Sequence, residues 1–365
     1  MTNEIKKSVG ASNTFFAPRF SVKEQALFAK RMSFLVKAGV PLVEALSLIQ
    51  EQTKSKSKAR AFELIIDDVN NGQFLALSLV KHKRMFGDFA INLIRVGEES
   101  GILSQNLEYL AEELKKKEIL RRKVLGALAY PIIITVATFG ITGALILYVF
   151  PKILPIFSSL HVNLPLSTRI LIALSNFLIA YGLWLMLGIV IFVSVFFFIQ
   201  HKFESVRLFV HRAILSLPIF GNLLRSYNLA NFTRSLGLLL RSGVRLTNAT
   251  IMLAETTPNL AYRRKFEKVT ERVLHGEPMS RELGTDSKLF PDLVPHMIAI
   301  GESTGSLSQT LLYLSELYES EVEEQTKNLS TAIEPVLMIV MGVLVGFIAV
   351  SIITPIYEIT QNLHP

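Results

Sequence analysis

The chain has 365 residues, of which 50% are hydrophobic, with a mean hydropathy of +0.41 and a formal net charge of +8. This apolarity exceeds what a soluble domain of such length usually carries and indicates a membrane protein. Because the sequence contains no cysteine, disulfides, thiolate zinc sites, iron–sulfur clusters and cysteine nucleophiles are excluded.

The first predicted segments are a flexible cytoplasmic lead over residues 1–19 and a cytoplasmic helical domain over residues 20–123. The lead has neither the apolar core nor the small-residue cleavage site of a signal peptide. In the domain, apolar residues recur at three- and four-residue spacing, which is typical of amphipathic helices. Gly39 then supplies a left-handed stop, and Pro41 a first-turn proline for the next helix. We expect about six helices here, packed as a compact bundle.

Three stretches are predicted to cross a membrane as helices: residues 124–150, 170–200 and 333–357. Each contains a run without Asp, Glu, Lys or Arg that exceeds the roughly 20 residues needed to span a hydrocarbon core. The chain is therefore expected to be an all-α membrane protein with three transmembrane helices.

Basic residues next to these stretches indicate the orientation of the chain. They cluster before the first stretch and after the second, and such residues accumulate on the cytoplasmic side of a membrane. A connector over 201–227 and a second helical domain over 228–332 should therefore be cytoplasmic. The loop over 151–169 and the tail over 358–365 should lie outside the cytoplasm. Basic residues beside the membrane stretches also explain the net positive charge. The sequence lacks the interleaved aromatic and basic residues that would form a nucleic-acid-binding surface.

The sequence repeats itself with an offset of 204 residues, as from Gly39 to Gly243. A register held over most of the chain indicates two copies of one folded unit, each a polar module followed by a membrane helix. The equivalent positions are Gly39 and Gly243, Gly97 and Gly301, Glu98 and Glu302, Ser100 and Thr304, Gly101 and Gly305, Pro131 and Pro335, and Pro151 and Pro355.

A Gly-Glu-x-Ser/Thr-Gly motif occurs at the same place in both copies. Gly101 and Gly305 are expected to form a left-handed turn between two helices. Ser100 and its counterpart are then predicted to cap the following helix, whose N–H groups also attract the carboxylate of Glu98 or Glu302. The alternative is that the motif binds a partner or a cation.

Prolines lie inside two of the predicted membrane helices. Pro131 and Pro335 each free a backbone carbonyl and bend the helix unless neighbours compensate. The shared bend is either a hinge that transmits movement or a static feature of packing.

Two further features belong to the third membrane stretch. Glu334 lies at the threshold of the hydrocarbon, where a carboxylate is costly unless it faces protein or water. It either meets a polar group on a neighbouring helix or filament subunit, or extends to the cytoplasmic surface. Gly342 and Gly346 form a surface of small residues that lets helices approach closely, either within one chain, which is the default, or between subunits.

These motifs resemble the inner-membrane platform proteins of type II secretion systems and type IV pili, the F family that includes GspF and PilC. The resemblance covers the chain from about residue 20 to its end. It implies a protein of the cell inner membrane without enzymatic activity, which contacts a hexameric assembly ATPase and passes pilins or pseudopilins into a growing filament. Other inner-membrane assembly proteins and further copies of the same chain are implied as partners.

Other function classes fit the sequence less well. No phosphate-binding loop of the Gly-x-x-x-x-Gly-Lys-Ser/Thr type, no metal-ligand spacing of histidines and no nucleophile motif occurs, so we assign no catalytic, cofactor-binding or metal-binding residue. A transporter would need more polar groups within the membrane than three such spans provide. Type IV pilus assembly is slightly preferred, with type II protein secretion as the alternative.

Overall fold

The computed structural model describes residues 18–153, 165–218 and 220–362. Four predicted segments include residues outside the described ranges: 1–19, 151–169, 201–227 and 358–365. Within the described ranges every regular element is a helix and no strand occurs. The predicted all-α fold is therefore confirmed.

The first module is built from consecutive helices that run into a long final one. They are α1 (Val22–Lys37), α2 (Leu42–Glu51), α3 (Lys56–Asn70), α4 (Leu75–Lys81), α5 (Lys83–Phe86), α6 (Asp88–Glu99) and α7 (Leu103–Ala144). A capping box starts α1: the N–H of Glu24 donates to the Ser21 hydroxyl, and the N–H of Ser21 donates to the Glu24 carboxylate. Gly39 follows with a φ of 81°, which confirms the predicted left-handed stop.

The middle of the chain contains two helices. A π-helical turn at Leu145–Val149 continues α7. The next described helices are α8 (Leu166–Lys202) and α9 (Glu204–Leu215). In α8 the apolar residues surround the whole helix, as expected of a helix that lies in lipid.

The second module repeats the first. Its helices are α10 (Phe220–Arg241), α11 (Leu246–Thr256), α12 (Leu260–Leu274), α13 (Met279–Leu283), α14 (Leu293–Thr304) and α15 (Leu307–Asn362). Gly243 has a φ of 84° and ends α10 as Gly39 ends α1. Because α10 begins at Phe220, the second module starts before the predicted boundary at residue 228.

Each module has an aromatic core, and the two cores are equivalent. Phe28, Phe62 and Phe86 are buried in the first, with ring centroids 4.9 to 6.2 Å apart. Their counterparts at the repeat offset form the second core, with centroids 5.2 to 6.0 Å apart: Phe232, Phe266 and Phe290. Tilted and edge-on aromatic contacts of this kind stabilise a core beyond the area they bury. Duplication has thus preserved the packing as well as the motifs.

The chain divides into two compact units. One contains both modules, up to Arg122 and from Phe220 to Val322, and the other contains the rest. We call the described residues 18–122 module one and residues 220–322 module two. Three helical stretches are long and apolar enough to cross a membrane, namely Leu103–Ile153, Leu166–Lys202 and Leu307–Pro355. We call residues 124–153, 166–202 and 333–355 of these helices spans one, two and three. Their number agrees with the sequence prediction.

Candidate functional site: the repeated motif and the contact between modules

The first glycine of the repeated motif lies where two helices touch. A Cβ atom at Gly97 would lie 3.0 Å from the Leu103 Cα and 3.1 Å from the Asn106 Cβ. At Gly301 it would lie 3.0 Å from the Leu307 Cα. Carbon atoms do not approach so closely without displacement. Glycine is therefore required for α6 to pack on α7, and for α14 to pack on α15.

The glutamate of the motif reaches back to a short helix that precedes it in the chain. The Glu98 carboxylate accepts hydrogen bonds from the N–H groups of Leu75 at 2.6 Å and Ala76 at 2.7 Å, at the start of α4. In module two, Glu302 accepts from the N–H of Met279 at 2.7 Å, at the start of α13. The N-terminus of a helix carries unsatisfied N–H groups and partial positive charge, so a carboxylate is favourable there.

The predicted capping role of the motif is wrong in its details. Ser100 and Thr304 donate to the carbonyls of Val96 and Ile300, four residues earlier in their own helices, and do not cap the following helix. The last turn of a helix places a hydroxyl beside that carbonyl, which offers a nearer acceptor. The glutamates do bind helix N–H groups, but on an earlier helix than expected.

The remaining part of the motif behaves as the sequence predicts. Gly101 and Gly305 have φ values of 72° and 70°, the left-handed region that glycine adopts without strain. Burial raises the pKa of Glu98, and the two backbone N–H groups that it accepts from act in the opposite direction. Both of its carboxylate oxygens are engaged within the module, so the motif ties the α4, α6 and α7 helices together. Among the described residues no cluster of potential metal ligands is found.

A second polar group of residues lies where the two modules meet. Glu113 on α7 is buried, and the Ser235 hydroxyl on α10 donates to it at 3.4 Å. Arg234 places its Nε 3.9 Å from the same carboxylate and donates to Glu319 at 2.6 Å. Burial raises the pKa of Glu113 to about 7, while Lys117 and Arg234 act to lower it. Glu113 thus ionises within the physiological range.

A cavity of about 330 Å³ lies beside Glu113. Polar side chains from both modules line it, including Gln25, Lys117, Asn228 and Asn231. Sequence reasoning missed this site because Glu113 lies in a highly charged stretch of α7 that is typical of a solvated helix. Only the packing of α10 against α7 buries it.

The proline near the end of span three has a specific partner. Pro355 has no N–H and cannot bond the carbonyl of Ser351, four residues earlier in α15. The buried hydroxyl of Thr168 on α8 donates to that carbonyl at 2.8 Å. A side chain of span two thus replaces the hydrogen bond that the proline removes.

The equivalent proline in span one has the same kind of partner. In the π-helical turn the N–H of Phe150 bonds the carbonyl of Leu145, five residues earlier. Pro151 would continue this register to the carbonyl of Ile146, but it has no N–H to donate. The buried hydroxyl of Ser175 donates to that carbonyl at 2.8 Å. Sequence reasoning missed both hydroxyl groups, since nothing local distinguishes them from other hydroxyls within spans.

The other predicted residues of the spans show fewer contacts. Glu334 is exposed, as are Gly342 and Gly346, and Cβ atoms at the two glycines would meet nothing within 4 Å. Among the described residues no helix packs against that face, so the close approach of another helix at these glycines stays a prediction. Pro131 and Pro335 lie inside α7 and α15, which continue through them.

Comparison with known proteins gives one family and a consistent set of relatives. The family model described as Type II secretion system (T2SS), protein F, matches twice, over residues 28–151 and 232–355. Both ends of the two matches are separated by the 204 residues that relate Gly39 to Gly243. The matched unit is therefore the repeat itself, a module together with the span that follows it.

The relatives act in two kinds of machine, according to their names. The Type IV pilus assembly protein PilC of Thermus thermophilus is 35% identical over 94% of this chain and 84% of its own length. PilC of Pseudomonas aeruginosa is 31% identical over 92% of this chain and 89% of its own length. The Type II secretion system protein F of Aeromonas hydrophila is 32% identical over 100% of this chain and 93% of its own length.

Proposed function

Because this chain belongs to the type II secretion system protein F family, we propose that it is the inner-membrane platform protein of a filament-assembly machine, without enzymatic activity of its own. Its relatives are named for type IV pilus assembly and for type II secretion, so it functions in a machine of this kind. The observation that carries the proposal is the double match to the family, in register with the duplicated fold.

The proposed partners follow from such a role. Both modules lie in the cytoplasm and offer a surface to a hexameric assembly ATPase, whereas the spans meet pilins or pseudopilins and other inner-membrane assembly proteins. The C-terminus lies outside the cytoplasm. Basic residues on the module side of spans one and two support this orientation, because they resist translocation.

The structure suggests how movement passes from the modules to the membrane. The helices α7 and α15 each run without a break from a module into a span. The Glu98 carboxylate joins α6, the neighbour of α7, to α4, and the Glu302 carboxylate joins α14, the neighbour of α15, to α13. A force that the ATPase applies to a module then displaces its long helix, and with it the span that holds the filament subunit.

Type IV pilus assembly is the preferred machine. The PilC relative from Thermus thermophilus has higher identity than the secretion relative from Aeromonas hydrophila, 35% against 32%. The alternative is a type II secretion platform. It is favoured by the secretion relative from Aeromonas hydrophila, which aligns with the whole chain.

Deletion and complementation test the proposal. A strain that lacks this chain should still make filament subunits and the assembly ATPase but should display no surface filaments, and the full-length chain should restore them. Normal filaments in the deletion strain, or ATP hydrolysis by the purified protein alone, would contradict the proposal. Secretion of exoproteins in the same strain separates the pilus reading from the alternative.

Within this function, Glu334 is assigned to contact a filament subunit in the membrane. It is exposed on α15 at the edge of span three, where an ionised carboxylate needs a polar partner or water. Glu334→Gln and Glu334→Ala should both reduce filament number at unchanged protein level. The matched control is Thr331→Ala, because the Thr331 hydroxyl donates to the Lys327 carbonyl of its own helix. Wild-type filament number in both Glu334 variants would overturn this assignment.

A further inference from the structure

The contact between the two modules joins unlike faces of the same fold. Module one contributes α6 and α7, and module two contributes α10 and α11. The Ser235 hydroxyl lies 3.4 Å from the Glu113 carboxylate, and the Arg241 guanidinium lies 4.9 Å from the centre of the Tyr109 ring. Between the other two helices, α11 packs against α6. We call the α6–α7 surface the socket face and the α10–α11 surface the plug face.

Because the modules are copies, each has a socket face and a plug face. The contact within the chain uses the socket face of module one and the plug face of module two, and it leaves one face of each module open. The plug face of module one consists of α1 and α2, and the socket face of module two consists of α14 and α15. These two counterparts lie on the surface of the chain. Both carry more exposed apolar side chains than an ordinary solvated surface would.

The open plug face of module one carries exposed apolar and basic residues. Phe34 is 72% exposed, whereas its counterpart Leu238, on the engaged plug face, is 5% exposed. Lys30 and Lys37 stand at the positions of Arg234 and Arg241, so the positive charge of the face is preserved. Phe34, Lys30 and Lys37 line one groove together with Glu108, which pairs with Lys37 at 3.2 Å. Aromatic residues are enriched at protein interfaces, so the exposed Phe34 ring marks this groove as a docking surface.

The open socket face of module two complements it. Tyr313 is 60% exposed and Leu317 is 39% exposed, whereas Glu113, the counterpart of Leu317, is 2% exposed. Glu316 and Glu321 lie beside them on α15 and are exposed. The face therefore combines large apolar groups with negative charge, opposite in sign to the open plug face.

We propose that the open plug face of one chain docks into the open socket face of a second copy of this chain. The contact repeats between chains the one that already exists within each chain. By the repeat offset, Lys37 should lie over the Tyr313 ring as Arg241 lies over that of Tyr109. Arg31 should meet Leu317 as Ser235 meets Glu113. Such a head-to-tail contact generates a ring where the rotation closes.

The occupant is a second copy because both halves of the contact are present on each chain. Tyr109 and Arg241 meet within the chain, and their counterparts on the open faces are also an aromatic residue, Tyr313, and a cation, Lys37. Complementary charges on the two faces favour the same register and oppose the pairing of like faces. This inference goes beyond the platform function and does not depend on it.

Cysteine crosslinking tests the geometry, because the chain has no native cysteine. Two full-length chains with different tags, one Arg31→Cys and the other Leu317→Cys, are produced in the same cells and treated with a short thiol crosslinker in membranes. We expect dimers that carry both tags. Neither variant alone should crosslink, since a head-to-tail contact brings residue 31 to residue 317 and never joins two identical positions.

The control pair is Leu64→Cys with Leu317→Cys. Leu64 is exposed on α3 and its counterpart Lys268 is exposed as well, so this position is outside the proposed contact and should give no dimer. Absence of mixed dimers from the 31 and 317 pair overturns the proposal. Dimers from Leu317→Cys alone also overturn it, because they indicate a two-fold contact between socket faces.

Charge exchange tests the same contact by affinity. Leu317→Arg should weaken self-association of the detergent-solubilised protein about tenfold, because the new cation then faces Arg31. Arg31→Glu should weaken it by a similar factor, because the new carboxylate then lies near Glu316 and Glu321. The double variant Arg31→Glu/Leu317→Arg should recover it. Phe34→Glu should also lower the oligomer mass, whereas Phe74→Glu, at another exposed phenylalanine, should not. Unchanged mass in Arg31→Glu, Leu317→Arg and Phe34→Glu rules out the contact.

Discussion

At the residue scale, each module is held together by one partly buried carboxylate, and the two carboxylates occupy equivalent positions. Glu98 and Glu302 each reach from one helix to the N-terminus of an earlier one, from α6 to α4 and from α14 to α13. The bonds are charge-assisted and partly buried, and such bonds contribute more than neutral ones. Loss of either carboxylate leaves N–H groups without an acceptor in a site that water enters poorly.

Substitution of Glu98 should therefore lower the stability of module one. For Glu98→Ala we expect a loss of about 1–3 kcal/mol, because buried donors remain unsatisfied. The control is Glu99→Ala, since the adjacent Glu99 is exposed. Thermal unfolding in detergent measures both, and Glu302→Ala should behave as Glu98→Ala does. An effect of Glu98→Ala no larger than that of Glu99→Ala would count against the assigned role.

Glu113 predicts a dependence of stability on pH. Burial raises its pKa from 4.5 to about 7, so between these pH values the folded protein holds a proton that the unfolded chain releases. Stability should therefore fall as the pH rises through this window, and stay at the lower level above it. One pKa unit corresponds to about 1.4 kcal/mol, which limits the total change to roughly 3 kcal/mol.

Unfolding temperatures of Glu113→Gln between pH 4.5 and 8 test this dependence. The amide does not ionise, so the variant should show a shallower decline than the wild-type protein. Glu112→Gln is the matched control, because Glu112 is the exposed neighbour on α7 and should leave the decline unchanged. Identical pH profiles for wild type and Glu113→Gln would contradict the raised pKa.

At the scale of elements, span two satisfies a carbonyl in each of the other spans. Thr168 bonds the carbonyl that Pro355 leaves open, and Ser175 bonds the one that Pro151 leaves open. Span two has no repeat counterpart, yet it completes the same position in both copies. The prolines are thus tolerated in these helices because a neighbouring helix provides the missing donor.

A double-mutant cycle between Thr168 and Pro355 tests this relation. Thr168→Val should destabilise the protein by about 1 kcal/mol, within the range measured for hydrogen bonds between membrane helices. In a Pro355→Ala background the loss should shrink, because the new N–H can itself donate to the Ser351 carbonyl. The control is Ser194→Ala on the same helix, because the Ser194 hydroxyl donates to the Val190 carbonyl of its own helix. An equal loss from Thr168→Val in both backgrounds would exclude the relation.

Local sequence patterns predicted the helices and turns better than the tertiary contacts between them. The helices of both modules, and the left-handed turns at Gly101 and Gly305, follow from apolar spacing and from the chemistry of glycine. The helix that Glu98 binds does not, because α4 and α7 both offer a free N-terminus and only tertiary packing selects between them. The burial of Glu113 has the same origin, since it requires α10 from the other copy.

For the whole molecule, duplication explains both the modules and the surfaces between them. Each copy provides an aromatic core, a glycine motif and a long helix that enters the membrane. A module can then meet its own copy within the chain while leaving one face of each kind for another chain. The proposed coupling to an ATPase requires, in addition, that both modules lie on the cytoplasmic side.

Labelling of single cysteines with a membrane-impermeant maleimide tests that requirement most directly. The cysteine-free chain accepts Lys54→Cys in module one and Lys268→Cys in module two, both at exposed positions. We predict that neither is labelled in intact spheroplasts and that both are labelled once the inner membrane is permeabilised. Labelling of either position in intact spheroplasts would contradict the account.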